Sequence, residues 1–179
     1  MVTLRKADPS DAEAIARVHV TSWRETYAGI VPRDHLDSLD VGACTERWRE
    51  ILQSPHSTTF VAEDEGKVVG FVSGGAMRPP VANYEGGILA LYLLQSHQRQ
   101  RAGSQMVQQI AQHLCAQGFR RLAVWVLAEN PACRFYRRMG GIQLLEQTIE
   151  IGGQALPEVA FGWPDIGMLA AARGAENGG

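Results

Sequence analysis

Apolar residues along this chain switch between two rhythms, and the sharpest switch falls at residues 89–107, LALYLLQSHQRQRAGSQMV. Ala90 to Leu94 make a compact apolar run suited to a buried strand, whereas Met106, Val107, Ile110, Ala111, Leu114 and Cys115 recur on one face of a helix. Gln98 to Ser104, between them, are polar and basic, so the stretch reads strand, turn, helix. Successive backbone N–H groups at such a turn, added to the positive end of the helix dipole, form a seat for phosphate or diphosphate. Arg99 and Arg101 add charge there.

The same reading orders the rest of the chain. Val2 to Lys6 suits a short strand, and Asp8, Pro9 and Asp11 start a helix that runs to about Thr21, with Ile15, Val18, His19 and Trp23 along one stripe. His19 on that stripe reads as a packed residue rather than a ligand. A second helical region covers about Arg33 to Leu52, interrupted near Gly42. Thr58–Glu63 and Lys67–Ser73 form a hairpin around Asp64-Glu65-Gly66, and Gly74 to Asn83 reads as a loop. A central strand from about Glu85 to Leu94 follows. Gly118 ends the next helix, Leu122 to Leu127 is a strand covered on both faces, and Asn130-Pro131 starts a short helix that stops at Gly140. Closing strands, about Leu144–Ile151 and Glu158–Trp163, flank Gly152-Gly153 and an irregular loop, and residues after Pro164 are expected to fray. About seven strands with helices between some of them predict a mixed-sheet α/β protein. A single domain is expected over residues 1–166, with a flexible tail over 167–179.

Composition narrows the chemistry. At 179 residues and 45% hydrophobic, the chain is long enough for one good core. A net charge of -2 offers no long-range attraction to nucleic acid or an anionic membrane, and neither is expected as a partner. Local basic clusters at Arg99/Arg101, Arg120/Arg121 and Arg134/Arg137/Arg138 suit one compact anionic ligand, or are ordinary solvated faces. Cys44, Cys115 and Cys133 show neither disulfide nor zinc-ligand spacing, so no metal is expected. The N-terminus MVTLRKADPSD lacks a leader's apolar segment, and no run approaches the ~20 apolar residues of a membrane span, so the cytoplasm is the expected location. A nucleotide hydrolase of the P-loop class is excluded, because no Gly-x-x-x-x-Gly-Lys-Ser/Thr occurs.

Gln98-x-x-Arg101-x-Gly103 resembles the Q/R-x-x-G-x-G/A turn of the GNAT superfamily of N-acyltransferases, with arginine in place of the first glycine. ALYL before it resembles the family's fourth strand, and WVLAENPACRFYRRMGG resembles its fifth strand and the Asn- and Tyr-bearing helix that follows. HVTSWRETYAGIVPRDHLDSL is similar to the first helices of one GNAT branch, and the resemblance runs in order over roughly residues 2 to 164. It implies a mixed, mostly antiparallel sheet that splays between its fourth and fifth strands, and acetyl-CoA as acyl donor without a metal.

From the resemblance, the backbone of Leu91, Tyr92 and Leu93 pairs with the pantetheine arm, and amides of Gln98, Arg99, Gln100, Arg101, Ala102, Gly103 and Ser104 hold the diphosphate. Gly103 allows close approach, and the Arg101 side chain, placed where glycine is preferred, either clashes or swings outward to a phosphate; the outward pairing is favoured. Tyr136 matches the tyrosine that faces the sulfur and is the candidate general acid, with a packed core tyrosine as the alternative; Phe135 and Met139 take the better-defined packing stripe. Asn130 either contacts the cofactor or only caps its helix. Many relatives carry a glutamate where this chain has Gly87, so Glu85, on the same strand face about 6.6 Å further along, stands as the base acting through water, or as a solvent-facing acid. Trp23, Glu25 and Tyr27, in a loop after the first helix, line the acceptor side or simply pack. The implied activity is transfer of an acetyl group to a primary amine of a small molecule or peptide; the alternative is an acyl-CoA-binding module without turnover. Homodimers are common among similar proteins.

Overall fold

In the computed structural model, which describes residues 1–171, the chain begins with strand β1 (Thr3–Lys6), turns through Pro9–Asp11 and enters helix α1 (Ala12–Tyr27). The turn is a reciprocal cap, in which Ser10 N–H donates to the Asp8 carboxylate and Asp8 N–H to that of Asp11. α1 continues past the expected end near Thr21, because no breaker precedes Gly29 and because Trp23 and Tyr27 pack edge to face at i,i+4, 4.7 Å apart. Trp23, Glu25 and Tyr27 are therefore helical residues, not loop residues. Next come α2 (Arg33–Asp37) and α3 (Val41–Gln53). Their break lies before Gly42, at residues 38–40, where the Asp40 carboxylate accepts the Ala43 N–H and caps α3.

Strands β2 (Ser57–Asp64), β3 (Lys67–Val81) and β4 (Tyr84–Leu93) form an antiparallel meander. β3 runs on through most of the segment expected to be loop, because Gly74, Gly75 and Ala76 still pair with Ile88, Gly87 and Gly86. Helix α4 (Ala102–Ala116), strand β5 (Leu122–Leu127), helix α5 (Ala132–Arg138), strands β6 (Ile142–Ile151) and β7 (Gln154–Trp163), and helix α6 (Ile166–Ala171) complete the order. Gly152 and Gly153 both take positive φ and close β6 onto β7 as a tight hairpin in place of the expected irregular loop.

The seven strands form one sheet, ordered β1-β2-β3-β4-β5-β7-β6, in which β4 and β5 are parallel and every other pair is antiparallel. Adjacent residues of β3 face opposite sides, as strand period two requires. Phe71 packs with Ile15, Ala16 and Trp48 of α1 and α3, while Val72 packs with Met106, Ile110 and Leu114 of α4. Burial of each such side chain stabilises the fold by about 1.5–3 kcal/mol. α6 corrects the expectation of fraying after Pro164. Its Ile166 N–H donates to Arg120 O, the Ala170 carbonyl accepts from Gln112 Nε2, and Leu169 is buried against the α4 side of the sheet. The rest of the expected tail, 172–179, lies outside the described residues.

Candidate functional site

β4 and β5 are hydrogen-bonded only over Gly86–Ile88 and Leu122–Val124. Beyond that point each strand stays with its outer neighbour, β4 with β3 as far as Leu93 and β5 with β7 as far as Leu127, and the two part. Leu89 marks the start of the divergence. Ser73 pairs with Ala90 and Gly74 with Ile88, so Leu89 is an extra residue, bulged and 48% exposed. The bulge also resets the faces: Ile88 packs on the α4 side, as do Leu91 and Leu93, while Ala90 and Tyr92 turn to the α1 side. Between the separated strands lies a cleft of about 810 Å³. Its walls are Leu89–Leu93 of β4, Val124–Val126 of β5, the turn before α4, part of α5 and the end of α1. Backbone groups on the facing edges of the two strands are left there without a ladder partner.

The turn is built to point amides outward. Arg99 and Arg101 take left-handed conformations (φ 62° and 66°), which lets successive N–H groups converge on a concavity at the head of the α4 helix. Gln98 and Gln100 do not aim their side chains at the cleft; they donate to Leu93 O and Ser96 O and anchor the turn to the preceding strand. Ser104 Oγ donates to Arg101 O. Ala102 is fully buried and Gln100 lines no part of the cleft, so those two offer main-chain amides only. Gly103 lines the cleft with an ordinary φ, and a methyl group there would meet only the edge of Phe135 at 3.6 Å. No neighbour within the protein demands glycine at that position.

Tyr136, 4% exposed, packs against Phe135, Phe161 and Trp163 yet lines the cleft, and no group among the described residues hydrogen-bonds its hydroxyl. Burial pushes its phenol far above the ordinary range, so it holds its proton at neutral pH. Asn130 is committed on both sides: its Oδ1 accepts the Ala132 N–H, capping α5, and its Nδ2 donates to Tyr27 Oη at 3.1 Å. Tyr27 and Glu25 line the cleft, whereas Trp23 does not. The Trp23 indole N–H instead donates to Tyr92 Oη at 2.9 Å, so Trp23 is a support and not part of the lining. Glu25 accepts the Gln95 N–H and is the sole carboxylate among the described residues on the wall.

Glu85 is not brought to the cleft. It sits before Gly86 and Gly87, where β4 and β5 are still joined, and its carboxylate accepts the Arg120 N–H at 2.9 Å, a bond that holds its pKa below the ordinary value. From that place its carboxylate forms no part of the cleft wall, contrary to the expectation of a base beside the acyl group. Position 87 offers no replacement, because Met77 covers it: a Cβ on Gly87 would lie 2.6 Å from Met77 Cε. Arg134 and Arg138, which the sequence showed only as part of a basic cluster, line the cleft together with the turn. Their i,i+4 spacing on α5 carries that signal, while Arg137 turns away to Gln143 and the face of Phe161.

Residues 18–141 match the family model for acetyltransferases of the GNAT family. A Bacillus subtilis (strain 168) protein named uncharacterized N-acetyltransferase YuaI is 41% identical over 170 residues, spanning 94% of this chain and 96% of its own. In shape, the chain is similar to an N-acetyltransferase from Staphylococcus aureus Mu50, at 22% identity and a TM-score of 0.72 over 93% of this chain and 99% of that one. It is also similar to the PaiA N-acetyltransferase of Thermoplasma acidophilum, solved in complex with coenzyme A, at 16% identity and a TM-score of 0.66 over 89% of this chain and 98% of that one.

Proposed function

We propose, from the premise that this chain belongs to the GNAT acetyltransferase family and is an acetyl-transferring enzyme, that it moves the acetyl group of acetyl-CoA to a primary amine of a small molecule or peptide. The observation that carries the reading is the parting of β4 from β5 beside an amide-lined turn, with Tyr136 inside the gap. The open β4 edge at Leu91, Tyr92 and Leu93 suits the alternating amides of pantetheine, which join it as a short added strand. Amides of residues 98–104 and the Arg99 and Arg101 guanidiniums receive the diphosphate, and Arg134 and Arg138, which line the same cleft, add positive charge toward the polyanion.

In this reading the amine attacks the thioester carbonyl carbon directly, with both substrates bound. The new C–N bond pushes the carbonyl π pair onto oxygen, where a β4 backbone N–H stabilises it. Collapse reforms C=O, breaks C–S and leaves the electron pair on sulfur, which Tyr136 protonates, while the proton shed by the new amide nitrogen returns through water to the Tyr136 oxygen. An alkyl ammonium of pKa ~10.4 must first lose a proton, at a cost of roughly 4–5 kcal/mol at pH 7. Glu25 attracts the ammonium and passes that proton to water. Tyr136, held protonated by burial, carries a proton to share with the sulfur and is not available as the base.

Calorimetry with acetyl-CoA and a thiol-release assay across polyamines, amino acids, aminoglycosides and peptide N-termini test this directly. Saturable binding and amine-dependent thiol release are expected, and Tyr136→Phe lowers kcat by about ten- to a hundredfold. No heat at millimolar acetyl-CoA, or an unchanged kcat in Tyr136→Phe at every pH, would refute the corresponding part.

A further inference from the structure

The two edges of the sheet are guarded unequally. β1, at one edge, has four residues and ends in Arg5-Lys6, a short and basic form that resists pairing with another chain. β6, at the other, runs for ten residues, IQLLEQTIEI, with no lysine, arginine or proline, and none of them is buried. Its outward N–H and C=O groups pair with no strand among the described residues. Ile142 and Leu145, 51% and 46% exposed, both stand on this strand. Of the other exposed large hydrophobics among the described residues, Leu89 lines the cleft, Met1 precedes β1 and Met168 belongs to α6.

Side-chain order on β6 selects a partner. Leu145, Gln147 and Ile149 pair with Ala160, Glu158 and Leu156 of β7, so they share one face, and Glu146, Thr148 and Glu150 share the other. Leu144 is the extra residue of a bulge. A second β6 laid antiparallel on this edge, related by a two-fold axis normal to the sheet, keeps like face beside like face, so one residue must oppose its own copy. With Glu146 on the axis two carboxylates meet, and with Thr148 there Glu146 opposes Glu150 twice. With Gln147 on the axis neither clash arises: Leu145 opposes Ile149, Glu146 opposes Thr148, and beyond the bulge Gln143 opposes Glu150 and Ile142 opposes Ile151. Axes at Leu145 or Ile149 leave less of the strand paired. Within its own chain Gln147 Nε2 donates to Glu158 Oε1 at 2.6 Å, which holds the amide with a second N–H and an oxygen to offer its copy.

We infer that β6 is the interface of a homodimer, pairing antiparallel with β6 of a second copy around Gln147 and joining the two sheets into one. The assembly does not depend on the acetyl-transfer reading. It does touch the cleft's surroundings: Ile149 and Ile151 pack into the cluster that contains Tyr27, so the second copy braces the strand on which the end of α1 rests.

Sedimentation velocity of the full chain from roughly 1 to 200 µM tests this, with a concentration-dependent dimer expected as for an interface of modest area. Gln147→Lys and Gln147→Glu each set like charges against each other on the axis and are expected to raise the dissociation constant at least about tenfold, while an equimolar mixture of the two associates again. Leu145→Lys, which supplies the lysine that guards natural edges, is expected to weaken the dimer by a similar factor. A parent that stays monomeric throughout overturns the inference, as does a dimer that neither Gln147 variant weakens, or a mixture that regains no association. Thermal midpoints show whether each variant folds. Should the variants not fold, hydrogen exchange on the parent decides: outward amides within 145–149 are expected to exchange at least about tenfold more slowly in the concentrated sample, and equal rates in dilute and concentrated samples overturn the inference.

Discussion

At position 87 one missing carbon decides where the catalytic base cannot be. This chain lays Met77 of β3 across the bare glycine, with Met77 Cβ, Sδ and Cε all within 3.4 Å of where a Cβ would stand. Gly87→Glu therefore adds a carboxylate to a filled space, and the expected result is a loss of about 1–3 kcal/mol in urea unfolding with no gain in thiol release. Met77→Ala in the same chain vacates that space and is expected to restore part of the loss. Arg101 shows the opposite situation, a side chain where glycine would be easier. Its left-handed φ of 66° costs an L-residue about 1–2 kcal/mol, which is the physical reason a glycine suits this point of the turn.

Among the elements, those whose periodicity is strong were legible in the sequence: α4 from its stripe of Met106, Ile110 and Leu114, β5 from its unbroken apolar run, and the β2–β3 hairpin from Asp64-Glu65-Gly66. Ends were not, because tertiary contacts set them. Trp23 and Tyr27 extend α1 by packing on each other and on β4, which no local propensity announces. The turn and Tyr136 were legible as a linear motif. The misplacement of Glu85 followed from not knowing where β4 and β5 part: at Glu85 the two strands are still joined, and the β3–β4 register shifts between Ala76 and Val81. Helix α6 was missed for a different reason: six residues, IGMLAA, carry no helical stripe of their own and are held by α4. Leu169 is 4% exposed in that contact. Leu169→Ala is accordingly expected to destabilise by about 2–5 kcal/mol in denaturant unfolding, whereas a truly frayed end gives no shift.

At the scale of the whole molecule, α1, α3 and the sheet meet on one titratable ring. His19 stacks on Tyr92 of β4 at 4.9 Å, contacts Phe71 of β3, and accepts the Trp48 indole N–H of α3 at Nδ1, with Cys44 beside it and Arg47 the nearby cation. Burial, and secondarily Arg47, push its pKa down to about 4. Between that value and the ~6.5 of an unfolded histidine, the unfolded chain binds the extra proton, so stability is complete above pH 6.5 and falls as pH drops toward 4. A gap of this size is worth about 3 kcal/mol in all, with about 2 kcal/mol already lost at pH 5. His113, also shifted downward by desolvation, acts in the same sense but is much more solvated, and Asp11, lowered by Arg5, acts only at more acid pH. Urea midpoints taken from pH 7 to pH 4.5 are expected to decline in the parent and to decline far less in His19→Gln, which leaves an acceptor for Trp48 but nothing to titrate. Equal slopes in the two proteins would place the acid sensitivity elsewhere, because no other neutral ring joins both α1-side helices to the strand that forms one wall of the cleft among the described residues.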